Sequence, residues 1–207
     1  MRFSAPMYSI YHFSDLIWVS CPVCHELGKV ESDLKDLRRP KAQFSCLTCN
    51  AHLSNIGAWS GPVQGVVNRA CATCGSMINY VSEPTRDTQA CAELSCETCE
   101  TVNSYPITWY RYQRDEPIDR FFGLPLWLQV HVKSNTMWLY NLKHLDYVRS
   151  YVSAKLREDD GRHKYSIVTN LPQWIKSRKN RALIIKKLNE LEARLEAHLK
   201  HLGSEHS

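Results

Sequence analysis

"FSCLTCNAHL", residues 44–53, and "LSCETCETVN", residues 94–103, each hold two cysteines separated by two residues. The same spacing occurs at two further places, and the first members of the four pairs are 25 residues apart each time. A two-residue spacer lets one tight turn present two thiolates, and four thiolates complete a closed tetrahedral zinc site. Four pairs therefore supply two sites. The cysteines concerned are Cys21, Cys24, Cys46, Cys49, Cys71, Cys74, Cys96 and Cys99.

Even spacing leaves three groupings of the pairs open: successive, nested or interleaved. A shift of 50 residues superimposes Ser45 on Ser95 and Thr48 on Thr98, whereas a shift of 25 matches little outside the pairs. The repeat unit is therefore about 50 residues long and contains two pairs. We predict one zinc on Cys21, Cys24, Cys46 and Cys49, and a second on Cys71, Cys74, Cys96 and Cys99, each in a ribbon of short β-hairpins.

The stretch between the two ribbons is "NIGAWSGPVQGVVNRA", residues 55–70. It is rich in Gly and contains a Pro, the residues that most often interrupt regular structure. We interpret it as a linker or turn.

Other uses of the cysteines fit the pattern less well. A single "CPVC" resembles a dithiol redox motif, but that motif occurs once, in a βαβ context, and not as four pairs in register. His25 and His52 adjoin the pairs and are alternative ligands, although four cysteines per site make them expected neighbours or hydrogen-bond donors instead. Cys91 is left over, and we expect a buried or partly buried thiol. Closed four-cysteine sites stabilise a fold and do not activate water.

The composition is that of a globular protein. The 207 residues are 43% hydrophobic and 23% charged, close to ordinary averages. No apolar run reaches the 18 residues or so that a transmembrane helix requires. His12 and Asp15 interrupt the N-terminal segment, which therefore does not resemble a signal peptide. We expect a soluble, cytoplasmic protein with reduced thiols and no membrane association.

The C-terminal part is predicted to combine a small β segment with helices. "LPLWLQVHVK", residues 124–133, alternates as a half-buried strand does, "SNT" then forms a turn, and "MWLY" is a return strand. A helix follows within residues 141–161 and ends at Gly161. The apolar positions of this helix are Leu142, Leu145, Val148, Val152 and Leu156. Pro172 begins another helix.

The last predicted helix runs from Ala182 to Gly203, with apolar residues about 3.5 positions apart. This stripe has two interpretations: packing on the preceding helix, or the seam of a coiled-coil dimer. Three heptads with His198 at a seam position favour packing. The residues of the stripe are Ile184, Leu188, Leu191, Leu195 and Leu202, broadened by Ile185 and Leu199.

Two phrases of the C-terminal third, "NLKHLDYVRSYVSAKLRE" (141–158) and "LPQWIKSRKNRALIIKKL" (171–188), support a family resemblance. They resemble the C-terminal part of a largely uncharacterised group of bacterial transcription-factor-B-type zinc-ribbon proteins. The resemblance implies a zinc-binding protein with a regulatory or mobile-element-associated role. It implies no catalytic residues.

Positive charge is concentrated in the C-terminal part. Residues 133–202 carry 15 Lys/Arg and 7 Asp/Glu, giving +8, whereas residues 1–132 carry 11 and 13, giving −2. The densest basic run, "KSRKNR", lies beside a tryptophan able to stack on a base. The equal alternative is a solvated helix face with that tryptophan in the core. The candidate DNA- or RNA-binding residues are Trp174, Lys176, Arg178, Lys179, Arg181, Lys186 and Lys187.

Catalysis is not expected. A metal-dependent nuclease requires converging carboxylates, and Glu158, Asp159 and Asp160 are better explained as a solvated turn at a helix end. The chain contains no phosphate-binding loop and no nucleophile motif.

The sequence thus predicts an α+β protein with three domains: ribbon 1 in residues 1–57, the linker and ribbon 2 in 58–115, and the β segment with helices in 116–207. The function we expect is non-enzymatic, with two structural Zn²⁺ ions and nucleic-acid binding. The alternative is a protein–protein adaptor that uses the acidic ribbons and the C-terminal helix, the latter also serving for homodimerisation.

Overall fold

The computed structural model describes residues 2–35, 40–55, 57, 59–112, 116–155 and 165–204. The chain divides into two units. The first combines Met1–Gly57 with Glu116–Asp119 and Leu124–Ser207, and the second combines Ala58–Asp115 with Arg120–Gly123.

The first unit begins with a 3₁₀ helix, Ile10–Phe13, and an antiparallel four-stranded sheet. In the first and third strands every other residue faces the core, as the pleat dictates: Ile17 and Val19 are fully buried in the first and Phe44 in the third. The strands pair in chain order and are β1 (Leu16–Ser20), β2 (Leu27–Asp33), β3 (Lys41–Cys46) and β4 (His52–Asn55).

The second unit has two smaller sheets, β6-β5-β9 and β7-β8. Its main core cluster is small and consists of Val67, Cys71, Ile78, Cys96 and Tyr105. Two of these five residues, Cys71 and Cys96, are predicted metal ligands, so the core and the metal site share side chains. The strands are β5 (Val63–Ala70), β6 (Met77–Val81), β7 (Cys91–Ser95), β8 (Val102–Pro106) and β9 (Thr108–Arg111).

The prediction of a linker or turn over residues 55–70 is wrong for its second half, where β5 spans Val63–Ala70. Gly65 in this strand pairs with Trp109. A Cβ atom at Gly65 would lie 2.6 Å from Cγ2 of Ile107. The glycine therefore permits close packing against β9. In the sequence alone, such a strand glycine cannot be distinguished from a glycine in a turn.

The C-terminal part of the first unit is a hairpin followed by helices, which confirms the α+β class. The hairpin turns at Lys133 and Ser134, which overlaps the predicted turn "SNT" (134–136) only at Ser134, because Asn135 already pairs with Val132. Of the predicted helix, Leu156 and Gly161 lie outside the described residues. The elements are β10 (Gln129–Val132), β11 (Asn135–Trp138), α1 (Leu142–Ser153), α2 (Ile167–Asn170), α3 (Gln173–Lys176), a 3₁₀ helix (Arg178–Asn180) and α4 (Arg181–Ser204).

Asn141 joins the first ribbon to the C-terminal helices. Its side-chain Oδ1 accepts a bond of 2.9 Å from the amide of His144 and so caps α1. Its Nδ2 donates to the carbonyls of Phe13 (2.9 Å) and Leu16 (2.6 Å). The backbone amide of Trp18 also donates to the Tyr140 carbonyl at 2.9 Å. Ribbon 1 and the C-terminal segment, which the sequence pattern separates, thus share one unit.

The apolar stripe of α4 is buried inside the first unit. Leu188 and Leu195 are 0% exposed and Leu191 is 2% exposed, and α4 packs on α1 and β10. A dimer seam through these leucines is therefore wrong, since their surface is already covered by the same chain. The packing interpretation of the stripe is the correct one.

Replacing Leu188 by Ala should lower the free energy of unfolding of the first unit by about 2–5 kcal/mol, because it opens a cavity in a closed core. Leu199→Ala, on the same helix but only half-buried, should lower it by less than half as much. Urea unfolding followed by far-ultraviolet circular dichroism measures both changes. Equal losses in the two variants would contradict the assignment of the α4 core face.

Candidate metal centres

Each Cys-x-x-Cys pair lies in the turn between two paired strands. In all four turns the amide of the first cysteine donates to the carbonyl five residues later, which closes the turn and directs both sulfurs to one side. These bonds join Cys21 to Glu26 (2.8 Å), Cys46 to Ala51 (2.9 Å), Cys71 to Ser76 (2.7 Å) and Cys96 to Thr101 (3.1 Å).

The residue after the second cysteine of every turn adopts a left-handed backbone conformation. The φ angles are 64° at His25, 57° at Asn50, 78° at Gly75 and 59° at Glu100. Glycine and asparagine adopt this conformation readily, whereas other residues pay roughly 1–2 kcal/mol for it. These four positions follow the same 25-residue spacing as the cysteines. The backbone conformation therefore repeats at the residue after each pair, although the four residues there are of different types.

The turns bring the sulfurs together in the two predicted groups. In each group all four Sγ atoms lie within 4.8 Å of one another. A regular tetrahedron with 2.3 Å metal–sulfur bonds separates its sulfurs by about 3.8 Å. The close pairs match this value: Cys21–Cys49 at 3.6 Å, Cys24–Cys46 at 3.5 Å, Cys71–Cys99 at 3.8 Å and Cys74–Cys96 at 3.7 Å.

This arrangement confirms the grouping of successive pairs. All nine cysteines are free thiols, and the close sulfur pairs are far beyond the 2.05 Å or so of a disulfide bond. Each group therefore has the donor set and the spacing to hold one metal ion.

Backbone amides make some of these thiols acidic. The amides of Cys74 and Thr73, the latter 3.4 Å from the sulfur, lower the pKa of Cys71 to about 6, although burial acts to raise it. Burial raises the pKa of Cys46, but the amides of Cys49 and Thr48, both 3.4 Å away, bring it down to about 7. Amide donors favour the thiolate, which is the form that binds metal.

The last thiols to ionise in a group have a raised pKa. The amide of Glu26 lowers the pKa of Cys24, yet burial and the neighbouring cysteine sulfurs raise it to about 12. Four thiolates in so small a space repel one another. A bound cation is what allows all four to be ionised together.

The two alternative ligands, His25 and His52, and the leftover Cys91 lie outside both sulfur groups. His25 and His52 are exposed, and His25 supplies the left-handed residue of its turn. Cys91 is also exposed, contrary to the expected buried thiol. It is the first residue of β7, whose alternation turns Ala92 inward and Cys91 outward.

The predicted nucleic-acid-binding residues lie on α3, the 3₁₀ helix and α4 of the first unit, and they divide into two sets. Arg178, Lys179 and Lys186 are exposed, while Trp174 is half-buried. The other three bind the chain itself. Lys176 donates to the Thr169 carbonyl (2.6 Å), Arg181 to the Ala154 carbonyl (3.0 Å) and Lys187 to Glu190 (2.6 Å).

Comparisons with protein-family models, curated proteins and solved structures gave no match. In the described part of the chain, none of the helices has both the length and the apolar character needed to cross a membrane. Glu158, Asp159 and Asp160, the carboxylates weighed for nuclease chemistry, lie outside the described residues.

Gly75→Ala should destabilise the second unit by about 1–2 kcal/mol through its left-handed backbone alone, because a Cβ atom there meets nothing within 4 Å. Glu100→Gly, at the matching position of the same unit, should stabilise it by about 1 kcal/mol. Chemical denaturation of the two variants at equal zinc concentration measures both shifts. Shifts of the same sign would contradict the shared turn geometry.

Proposed function

We propose that this chain is a non-enzymatic zinc protein that associates with DNA or RNA through a basic surface of its first unit. Two sets of four cysteine sulfurs at tetrahedral spacing carry the zinc part of the proposal. Sulfur-only, four-coordinate sites suit zinc. With four protein ligands no coordination position remains for water or substrate, and this favours a structural role.

Zinc also accounts for how small the second unit's core is. A domain of this size buries too little apolar surface to fold readily alone, and Cys71 and Cys96 are part of its core cluster. Where the ligands converge only in the folded state, the free energy of metal binding is free energy of folding.

Replacing Cys99 by Ser should reduce zinc from two ions per chain to one and unfold the second unit, because a three-sulfur site leaves the ion open to water. Cys46→Ser should do the same to ribbon 1. The control is Cys91→Ser, which removes an exposed cysteine outside both groups and should leave zinc at two. Elemental analysis of the purified proteins measures the ratio, and two zinc ions in either ligand variant would refute the assignment.

The charge distribution supports the nucleic-acid part. Residues 133–202 carry 15 Lys/Arg against 7 Asp/Glu, and Arg178, Lys179 and Lys186 are exposed. Zinc sites with four thiolates add negative charge to the N-terminal part and so favour the C-terminal part for phosphate. The resemblance of residues 141–158 and 171–188 to bacterial transcription-factor-B-type zinc-ribbon proteins points the same way.

The triple variant Arg178→Ala, Lys179→Ala and Lys186→Ala should bind oligonucleotides more weakly and with a flatter salt dependence. Each lost phosphate contact lowers the slope of log K against log salt by roughly 0.7–0.9. Fluorescence anisotropy with single- and double-stranded DNA and RNA at several salt concentrations measures this change.

A variant with the same loss of charge, Lys35→Ala, Lys41→Ala and Lys200→Ala, provides the matched control, since these three side chains are exposed too. It should retain most of the affinity and the slope. If both triple variants bind equally well, the assigned surface is not the binding surface.

One observation favours the alternative of a protein adaptor. Met77, Val81 and Tyr110 of the second unit are 58%, 60% and 58% exposed. Their strand register pairs them with Ala70, Val66 and Gln64, so all three lie on one face of the β6-β5-β9 sheet. Exposed apolar groups gathered on one face are typical of protein-binding surfaces. Absence of nucleic-acid binding at low salt would make this the leading function.

A further inference from the structure

The first unit contains a cavity of about 460 Å³, a size common for small-molecule sites. It lies among β11, α1, α2 and α3. The walls are mainly apolar and aromatic, and they include Met137, Trp138, Tyr140, Tyr165, Leu171 and Ile175. Two of the aromatic residues are exposed to solvent: Trp138 is partly exposed, at 38%, and Tyr165 is almost fully exposed, at 88%.

His144 gives this cavity a directed hydrogen-bond donor. The side chain is 3% exposed and lines the cavity, and its ring packs on Phe13. Its Nδ1 accepts a bond of 3.3 Å from the Tyr140 amide, and burial lowers the pKa of His144 to about 3. The neutral ring therefore carries its proton on Nε2, and this N–H has no hydrogen-bond partner among the described residues.

Positively charged residues come soon after the cavity-lining residues in the sequence. Pro172 and Ile175 line it, and Arg178 is three residues beyond Ile175. Three residues of chain span at most about 11 Å. The Cα atom of Arg178 therefore lies no more than about 11 Å from that of Ile175, and the Arg178 and Lys179 side chains are exposed to solvent.

We propose that the cavity receives one unstacked base of a single-stranded nucleic acid. The base stacks on Tyr165 and Trp138 and accepts a hydrogen bond from His144 Nε2, while Arg178 and Lys179 contact the adjoining phosphates. Aromatic platforms beside cationic side chains are the usual means of binding single strands, because every base has a face that stacks. The inference rests on the proposed nucleic-acid association and adds the strand class and the site.

The test uses the zinc-loaded full chain and a short single-stranded oligonucleotide with one 2-aminopurine. A stacked base contributes about 1–3 kcal/mol, so Tyr165→Ala should weaken binding about 5- to 150-fold without changing the salt slope. It should also reduce the 2-aminopurine fluorescence change. Tyr165→Phe, which keeps the ring, should retain binding. Tyr110→Ala, an exposed tyrosine of the second unit, is the matched control and should change affinity less than twofold.

The outcomes separate this inference from the function on which it rests. Salt-dependent binding that is the same for Tyr165→Ala and Tyr110→Ala, with no 2-aminopurine response, overturns base capture and leaves the proposed function standing. No binding of any strand at low salt overturns both. Preferential loss of single-strand affinity in Tyr165→Ala, with double-strand affinity unchanged, supports both.

Discussion

Four cysteine sulfurs lie within 4.8 Å of one another in each unit, and the architecture around them depends on this convergence. Neighbouring thiolates repel and their desolvation is costly, so such a group is stable only with a cation at its centre or with its protons retained. Three local features bring the sulfurs together: paired strands on both sides of each turn, a hydrogen bond from the amide of the first cysteine that closes the turn, and a residue of left-handed conformation after the second cysteine. In the second unit Cys71 and Cys96 are also part of the hydrophobic core.

In the first unit, the four sulfurs belong to a larger set of strands and helices. Its ribbon is a four-stranded sheet, and Asn141 and Tyr140, just before α1, are hydrogen-bonded to the first strand of that sheet. Asn141 serves as both helix cap and tether, so the position of α1 is set by the start of β1. The His144 ring that follows one turn later is thereby held against Phe13 and beside the cavity. The proposed base site thus depends on the ribbon as well as on the helices.

The local sequence pattern predicts the cysteine grouping and the buried face of α4. In a hairpin turn or a helix, residues at a fixed spacing along the chain lie on the same side in space, so the spacing is visible in the sequence. The pattern does not predict the connection of Asn141 to Leu16, because a single side chain that bonds a carbonyl 125 residues away leaves no periodic trace. The sequence does not distinguish Lys176 and Arg181 from solvent-facing cations for a similar reason: their partners are backbone carbonyls, which every residue has. Gly65 suggested a turn because close packing and chain reversal favour the same residue.

The first unit is discontinuous, with the whole of the second unit inserted between its ribbon and its helices. This order matters while the chain is being synthesised. Ribosomes add roughly 5–20 residues per second, so strand β1 waits about 6–24 seconds for Tyr140, the acceptor of its Trp18 amide. The second unit, whose residues end at Gly123, is complete before α1 exists. The nascent N-terminal ribbon therefore spends that interval with its four cysteines synthesised and its bonds to Asn141 and Tyr140 not yet formed, so that metal binding can order it before the helices exist.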